Sequence, residues 1–294
     1  MASRFVTATL APRTSHASGV SMVRSALVLA LLVVGAPSGA DAQRPTVAII
    51  GTGSMASAMG PNVAAAGYPV IYGSRDPSRT SVADLVERTG TGTRALSQYE
   101  AAQAGDIIVL AVHWQAMEEV IGNLGDVAGK TLVDFSNSLQ VGPDGYMVST
   151  VETSTSEIIQ SWVPDAAVVK TMVPSFYLMR DPDFFGDPPT VMIAADDRAA
   201  KEAAGRLLHD IGLDPWDAGP LRHAQSLEAL LRLYFVPLVQ GRDQGVEFRL
   251  IRSSFWSCAW GARAPLGRSS DHDDLAELPG QGKPLPCEAF SGVR

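Results

Sequence analysis

Residues 46–56 read Thr46-Val47-Ala48-Ile49-Ile50-Gly51-Thr52-Gly53-Ser54-Met55-Ala56, an apolar, β-branched run that breaks into two glycines and then into small residues. A strand buried on both faces of a parallel sheet has that character, with no polar alternation. Gly51 permits a tight turn, and Gly53 lets a pyrophosphate approach where a Cβ would obstruct it. Small Ala56 lets the next helix sit close to the sheet. Thr52, Ser54 and Met55 complete a loop whose helix amides face the phosphates. Ser54 to Ala66 suits that helix, Gly67 ends it, and Pro69 to Gly73 reads as a second strand. The glycines alone are weak evidence; strand, turn, helix and strand in this order make a dinucleotide-binding βαβ unit.

The end of the second strand distinguishes between dinucleotides. An acidic residue there would accept from a ribose 2′-OH, whereas positive charge suits a 2′-phosphate. This chain has Ser74-Arg75, with Arg79 four residues on. Arg75 offers a planar fork to phosphate oxygens, Ser74 a compact donor, and Arg79 closes the pocket from the next helix. Asp76 is expected to cap the helix after Pro77. The expected cofactor is NADP; the alternative is a surface role for both arginines.

Asp106–Val112, Lys130–Phe135 and Ala166–Met172 read as further buried strands. The fold class is α/β, a Rossmann-type doubly wound parallel sheet with a small C-terminal α/β extension. Ligands lie beyond the carboxyl ends of such strands, which adds Ala111, Val112, His113, Ser136 and Asn137 to the cofactor crevice. His113 either serves the chemistry, beside the nicotinamide or donating to a substrate oxygen, or only shapes its loop. Trp114 reads as a packing wall. The extension has a strand at Thr190–Ala195, a helix capped by Asp197, a short strand at Asp214–Asp217, and a helix after Gly219-Pro220 that Val236-Pro237 should interrupt.

The chain has 294 residues, 46% hydrophobic and 18% charged, which supports a folded protein with a real core. A formal charge of −8 gives no basic surface for nucleic acid. No histidine pair has metal-ligand spacing, so no metal site is expected. Arg24, the apolar run Ala26–Val34 and Ala40-Asp41-Ala42 are the parts of a secretory signal over about 22–42, implying export. An uncleaved anchor and a plain N-terminal extension, with a cytoplasmic protein, are the alternatives. The run is too short for an integral membrane domain. The expected organisation is a leader at 1–45, an NADP-binding domain at 46–180, a small substrate-side region at 181–252 and a poorly ordered tail at 253–294. Cys258 and Cys287 fall in that tail, and an exported chain has the option of pairing them.

Several motifs together resemble the NADPH-dependent 8-hydroxy-5-deazaflavin (coenzyme F-420) reductase family, whose nucleotide domain is also similar to that of STEAP-type metalloreductases. They are Gly51-Thr52-Gly53-Ser54-Met55, Gly73-Ser74-Arg75 with Arg79, Val168-Val169-Lys170, Ala218-Gly219-Pro220-Leu221 leading to Ser226-Leu227-Glu228, and Gly241-Arg242-Asp243. The resemblance implies that Thr52, Ser54, Met55, Ser74, Arg75 and Arg79 hold NADP, that hydride passes to a small deazaflavin acceptor, and that the protein forms homodimers. The chain has Ser136-Asn137-Ser138 where the family commonly has Thr-Asn-Pro, and Thr171-Met172-Val173-Pro174-Ser175 where Ala-Phe-Asn-Thr commonly follows the lysine. A flavin, a quinone or a chelated metal is therefore the second acceptor class, and a non-catalytic NADP-binding module the other reading.

Overall fold

The computed structural model describes residues 44–172, 175–184, 186–241, 247–250 and 278–279. The leader and both cysteines lie outside the described residues. β1 (Val47–Ile50) is wholly buried and leads through the glycine turn into α1 (Ser54–Ala65) and β2 (Val70–Ser74). Then come α2 (Thr80–Thr89), β3 (Arg94–Ser97), α3 (Gln98–Ala104) and β4 (Ile107–Leu110). A 3-10 turn at Trp114–Ala116 opens α4 (Met117–Asn123), which precedes β5 (Thr131–Asp134). A small hairpin of β6 (Leu139–Val141) and β7 (Met147–Ser149) precedes α5 (Thr155–Trp162) and β8 (Ala167–Met172). Among the described residues there follow α6 (Phe176–Arg180), β9 (Thr190–Ala194), α7 (Arg198–Asp210), β10 (Asp214–Asp217), α8 (Ala224–Tyr234) and α9 (Val236–Val239).

The main sheet has the order β10-β9-β8-β5-β4-β1-β2-β3. From β3 to β8 every pairing is parallel; Val47 lies between Val70 and Ile107, and Thr131 pairs with Ala167. β9 then runs antiparallel to β8, with Lys170 opposite Ala194, and β10 is parallel to β9. The expected doubly wound sheet is present, and the C-terminal α/β segment continues it through one reversal. Successive strand residues feed opposite cores, because a strand alternates faces. Val47, Ile49, Val109, Val133 and Val169 pack with α1 and α7. Ala48, Ile50, Leu110, Leu132 and Val168 pack with α3, α4 and α5.

Local expectations mostly hold. Asp197 accepts from the Ala200 amide at 2.7 Å and caps α7, and Pro237 falls in the first turn of α9, after α8 has ended. Asp76 is a correction. α2 has Arg79 at its N-cap, and the Asp76 carboxylate instead accepts from the Ser78 amide (3.1 Å) and hydroxyl (2.6 Å) in a local turn. Leu278 is buried, with its side chain against Gly205 of α7. Among the described residues, no helix is long and apolar enough to cross a membrane.

Two contacts outside the cleft fix the frame. Tyr72 is fully buried and pairs its hydroxyl with Thr89 at 2.7 Å; a Cβ on Gly60 of α1 would stand 1.7 Å from that oxygen. Just before β1 and β2, Asp210 accepts from Arg44 and from the Tyr68 hydroxyl (2.8 Å). Burial pushes the Asp210 carboxyl up, but the hydrogen bonds from Arg44 and Tyr68 and the Arg44 charge outweigh it and leave it below its ordinary value.

Gly60→Ala should cost about 1–3 kcal/mol by overpacking, and Tyr72→Phe in the same chain should recover part of that loss in a denaturation cycle. Asp210→Asn should cost about 0.5–1 kcal/mol at neutral pH, discounted for its partial exposure. A depressed folded value means that the stabilisation is present above the ordinary Asp value and lost as pH falls through the folded one. Urea midpoints of the two proteins should therefore differ at pH 7 and converge at strongly acid pH.

Candidate functional site

β1 ends against two neighbours: the Ala111 amide donates to the Ile50 carbonyl at 2.9 Å, and the Gly51 amide donates to the Gly73 carbonyl at 2.9 Å. Gly51 has φ +118°, and a Cβ there would lie 2.4 Å from the Ala111 carbonyl oxygen. Only glycine fits this crossing. Gly53 takes the N-cap of α1 with no side-chain cap, and nothing stands within 4 Å of where its Cβ would be. The first-turn amides of α1 thus open onto free space, with no acidic residue in that turn to compete for them. Ala56 is buried in the core at this helix end and does not line the cleft.

Ser74 ends β2 almost buried, its hydroxyl accepting from the Asp76 amide at 3.2 Å. Arg79 donates to the Thr52 hydroxyl at 3.2 Å, tying the turn after β2 to the glycine turn. Arg75 is exposed and has no ion-pair partner among the described residues. The hydrogen bonds from Ser78 hold the Asp76 carboxyl below its ordinary value, with a smaller contribution from the Arg79 charge.

One cleft of about 800 Å³ joins these groups to the ends of β4 and β5. That is the size of a small-molecule or cofactor site. Thr52, Ser54 and Met55 line it with the glycines, as do Ala111 and Val112 after β4. His113 lines it as well, exposed and without a side-chain hydrogen bond among the described residues; its carbonyl accepts from the Ala116 amide at 3.0 Å. Trp114 stacks on Trp162 of α5, with centroids 5.7 Å apart and planes 6° off parallel, which makes it a fixed wall. Ser136 and Asn137 complete the far end, joined by Phe176 of α6 and by Leu139 of β6, the latter outside the residues expected from sequence.

The sequence reading also missed what lies behind Ser136. The Lys170 ammonium on β8 donates to the Ser136 carbonyl (2.5 Å), the Thr155 hydroxyl (2.9 Å) and Glu228 of α8 (2.7 Å), and it stands 3.4 Å from Asp134. Asp134 accepts from the Ser136 amide (2.7 Å) and the Ser156 hydroxyl (2.6 Å). Buried and without a hydrogen-bond partner among the described residues are the Ser136 hydroxyl and the second Glu228 carboxylate oxygen. The signal was available in the sequence, since Asp134 and Lys170 are charges inside apolar strand runs, where a charge is almost never buried unless paired.

The described residues suit a phosphorylated dinucleotide. At Gly53 nothing occupies the space a Cβ would take, the α1 amides face open cleft, and the Ser136 hydroxyl is a buried group with no hydrogen-bond partner among the described residues at the far end. No group of three or more His, Cys, Asp or Glu able to hold a metal occurs among the described residues.

Residues 46–138 match the model of the family described as NADP oxidoreductase, coenzyme F420-dependent. The chain is 29% identical to metalloreductase STEAP3 of Rattus norvegicus over 194 residues, 65% of this chain but 37% of that protein. It therefore spans little more than a third of the metalloreductases it matches. It is 26% identical to the F420-dependent NADP reductase of Methanothermobacter marburgensis over 216 residues, covering 68% of this chain and 95% of the relative. A solved structure from Arthrobacter sp. FB24, described as an F420-dependent NADP-reductase, superposes with a TM-score of 0.60 at 27% identity, over 67% of this chain and 96% of the other. Residues 46–138 thus carry a domain that matches the coenzyme F420-dependent NADP oxidoreductase family, on a Rossmann-type sheet shared with a solved structure of that kind.

Proposed function

We propose that this chain is an NADP-linked oxidoreductase that exchanges hydride with a small deazaflavin-type acceptor. The observation that carries the reading is Arg75: a guanidinium without an ion pair among the described residues, at the carboxyl end of β2, on the same cleft as the Gly51–Gly53 turn. Ser74, Arg75 and Arg79 would hold the 2′-phosphate, the planar guanidinium groups meeting its oxygens and the Ser74 hydroxyl donating. The α1 amides would receive the pyrophosphate. The Ser136 hydroxyl and Asn137 amide would meet the nicotinamide end.

When bound, NADP(H) supplies the hydride chemistry itself. The chain's own part is to orient and to exclude water. Ala111 and Val112 form an apolar floor, and the Trp114–Trp162 stack keeps its wall rigid. His113, exposed on the cleft and without a side-chain hydrogen bond among the described residues, would donate to an acceptor oxygen. The matched family and the Methanothermobacter relative support a deazaflavin acceptor. A flavin or chelated metal is the second reading, favoured by the identity to STEAP3.

Replacing Arg75 with Gln should weaken NADPH binding about tenfold or more, the usual cost of one charge-assisted contact, and leave NADH binding unchanged. Fluorescence titration of both nucleotides measures it; an unaltered preference would sink the NADP reading. Stopped-flow oxidation of NADPH should be fastest with the deazaflavin among deazaflavin, flavin, quinone and ferric chelate.

A further inference from the structure

The charges buried behind the cleft carry an inference that rests on the NADP reading. Lys170, Asp134 and Glu228 are 2%, 0% and 4% exposed, and none of them lines the cleft. Taking two carboxylates and an ammonium out of water is returned by their attraction only where every group is well partnered. Here one Glu228 oxygen has no hydrogen-bond partner among the described residues. Apolar residues would serve stability alone at least as well, as Leu132 and Val168 do in the same strands.

What the cluster achieves is geometric. Asp134 accepts the Ser136 amide proton at 2.7 Å and Lys170 donates to the Ser136 carbonyl at 2.5 Å, so both main-chain polar groups of residue 136 are gripped. Lys170 is itself backed by Glu228 from α8 at 2.7 Å and by Thr155 from α5 at 2.9 Å. Thr155 in turn donates through its amide to Glu228 at 2.9 Å, closing the network. The one polar group of Ser136 without a partner among the described residues is its hydroxyl, and Ser136 lies on the cleft.

We infer that Lys170 is a positioning residue: backed by Glu228 and Thr155, and together with Asp134, it fixes the main chain of Ser136 so that the Ser136 hydroxyl and the adjoining Asn137 amide are presented to the nicotinamide end of NADP(H). Lys170 does not line the cleft and would touch neither cofactor nor acceptor. The adenosine end is built from β2 and the turn before α2, and it does not depend on this clamp.

That separation supplies the test. Glu228→Gln, Thr155→Val and Thr155→Ser are compared with the unsubstituted protein, using 2′,5′-ADP as a probe of the adenosine end alone and NADPH as the probe of both ends. Affinity for 2′,5′-ADP should stay within about twofold throughout, because its contacts are untouched. Glu228→Gln and Thr155→Val should bind NADPH about fivefold more weakly, near the value of one net hydrogen bond, and lose most of the fluorescence enhancement of bound NADPH. Thr155→Ser, which keeps the hydroxyl, should restore both. Unchanged NADPH affinity and fluorescence in the first two variants would overturn the inference. So would a parallel loss of 2′,5′-ADP and NADPH binding, which is what general loosening of the fold produces. If Glu228→Gln does not fold, the two Thr155 variants, which change no charge, decide alone. An unsubstituted protein that binds neither probe would refute the NADP reading and the inference with it; one that binds both, with variants that behave identically, would refute the inference only.

Discussion

The backbone of Gly51 passes so close to the carbonyl of Ala111 that no side chain can stand between them. That crossing lets the end of β1 turn sharply while its amide still reaches the Gly73 carbonyl. The start of α1 is thereby aimed at the cleft, and β2 and β4 end on either side of it. Arg75, the α1 amides and the residues after β4 converge because three strand ends are held at one level. A displaced β1 end would separate them, however well each was chosen.

The two ends of the cleft are stabilised by different physics. The β2 end is exposed, cationic and lightly tied, with Arg79 on Thr52 and Asp76 folded back on Ser78. Such a surface gains its energy from a multiply charged ligand and gives little to the empty protein. The β5 end is dry and already crowded with hydrogen bonds, in which Lys170 alone reaches the Ser136 carbonyl, Thr155 and Glu228. One end attracts, and the other orients.

Much of this was legible in the sequence because it rests on local rules. The buried strands β1, β4, β5 and β8 are continuous apolar runs, and the glycine turn has its strand and helix in order. β3 was not legible, since it is an edge strand with a half-exposed face and no apolar run. α3 and α5 were missed although each opens on a Ser three residues before a Glu, Ser97 with Glu100 and Ser154 with Glu157, and both serines accept from the glutamate amide. That spacing is a helix-start signal, outweighed here by the short, weakly apolar stretches that follow. Around Lys170, the charges at Asp134 and Lys170 inside apolar strands signalled buried pairing, but the clamp they join was not legible. Its members come from β5, α5, β8 and α8, and no single stretch of chain contains the pattern.

The reversal between β8 and β9 has a further effect. Because β9 runs back along β8, the connection carrying α6 leaves and rejoins the sheet on the cleft side. It is also pinned from beside the sheet, where the Asn62 amide of α1 donates to the Met179 and Arg180 carbonyls that end α6. Within α6, Leu178 and Met179 are buried while Phe176 and Tyr177 are exposed, so the latter two can be exchanged without disturbing the core. The Phe176 side of α6 is therefore a replaceable faceplate at the mouth of the cleft, whose shape can change at small cost to folding.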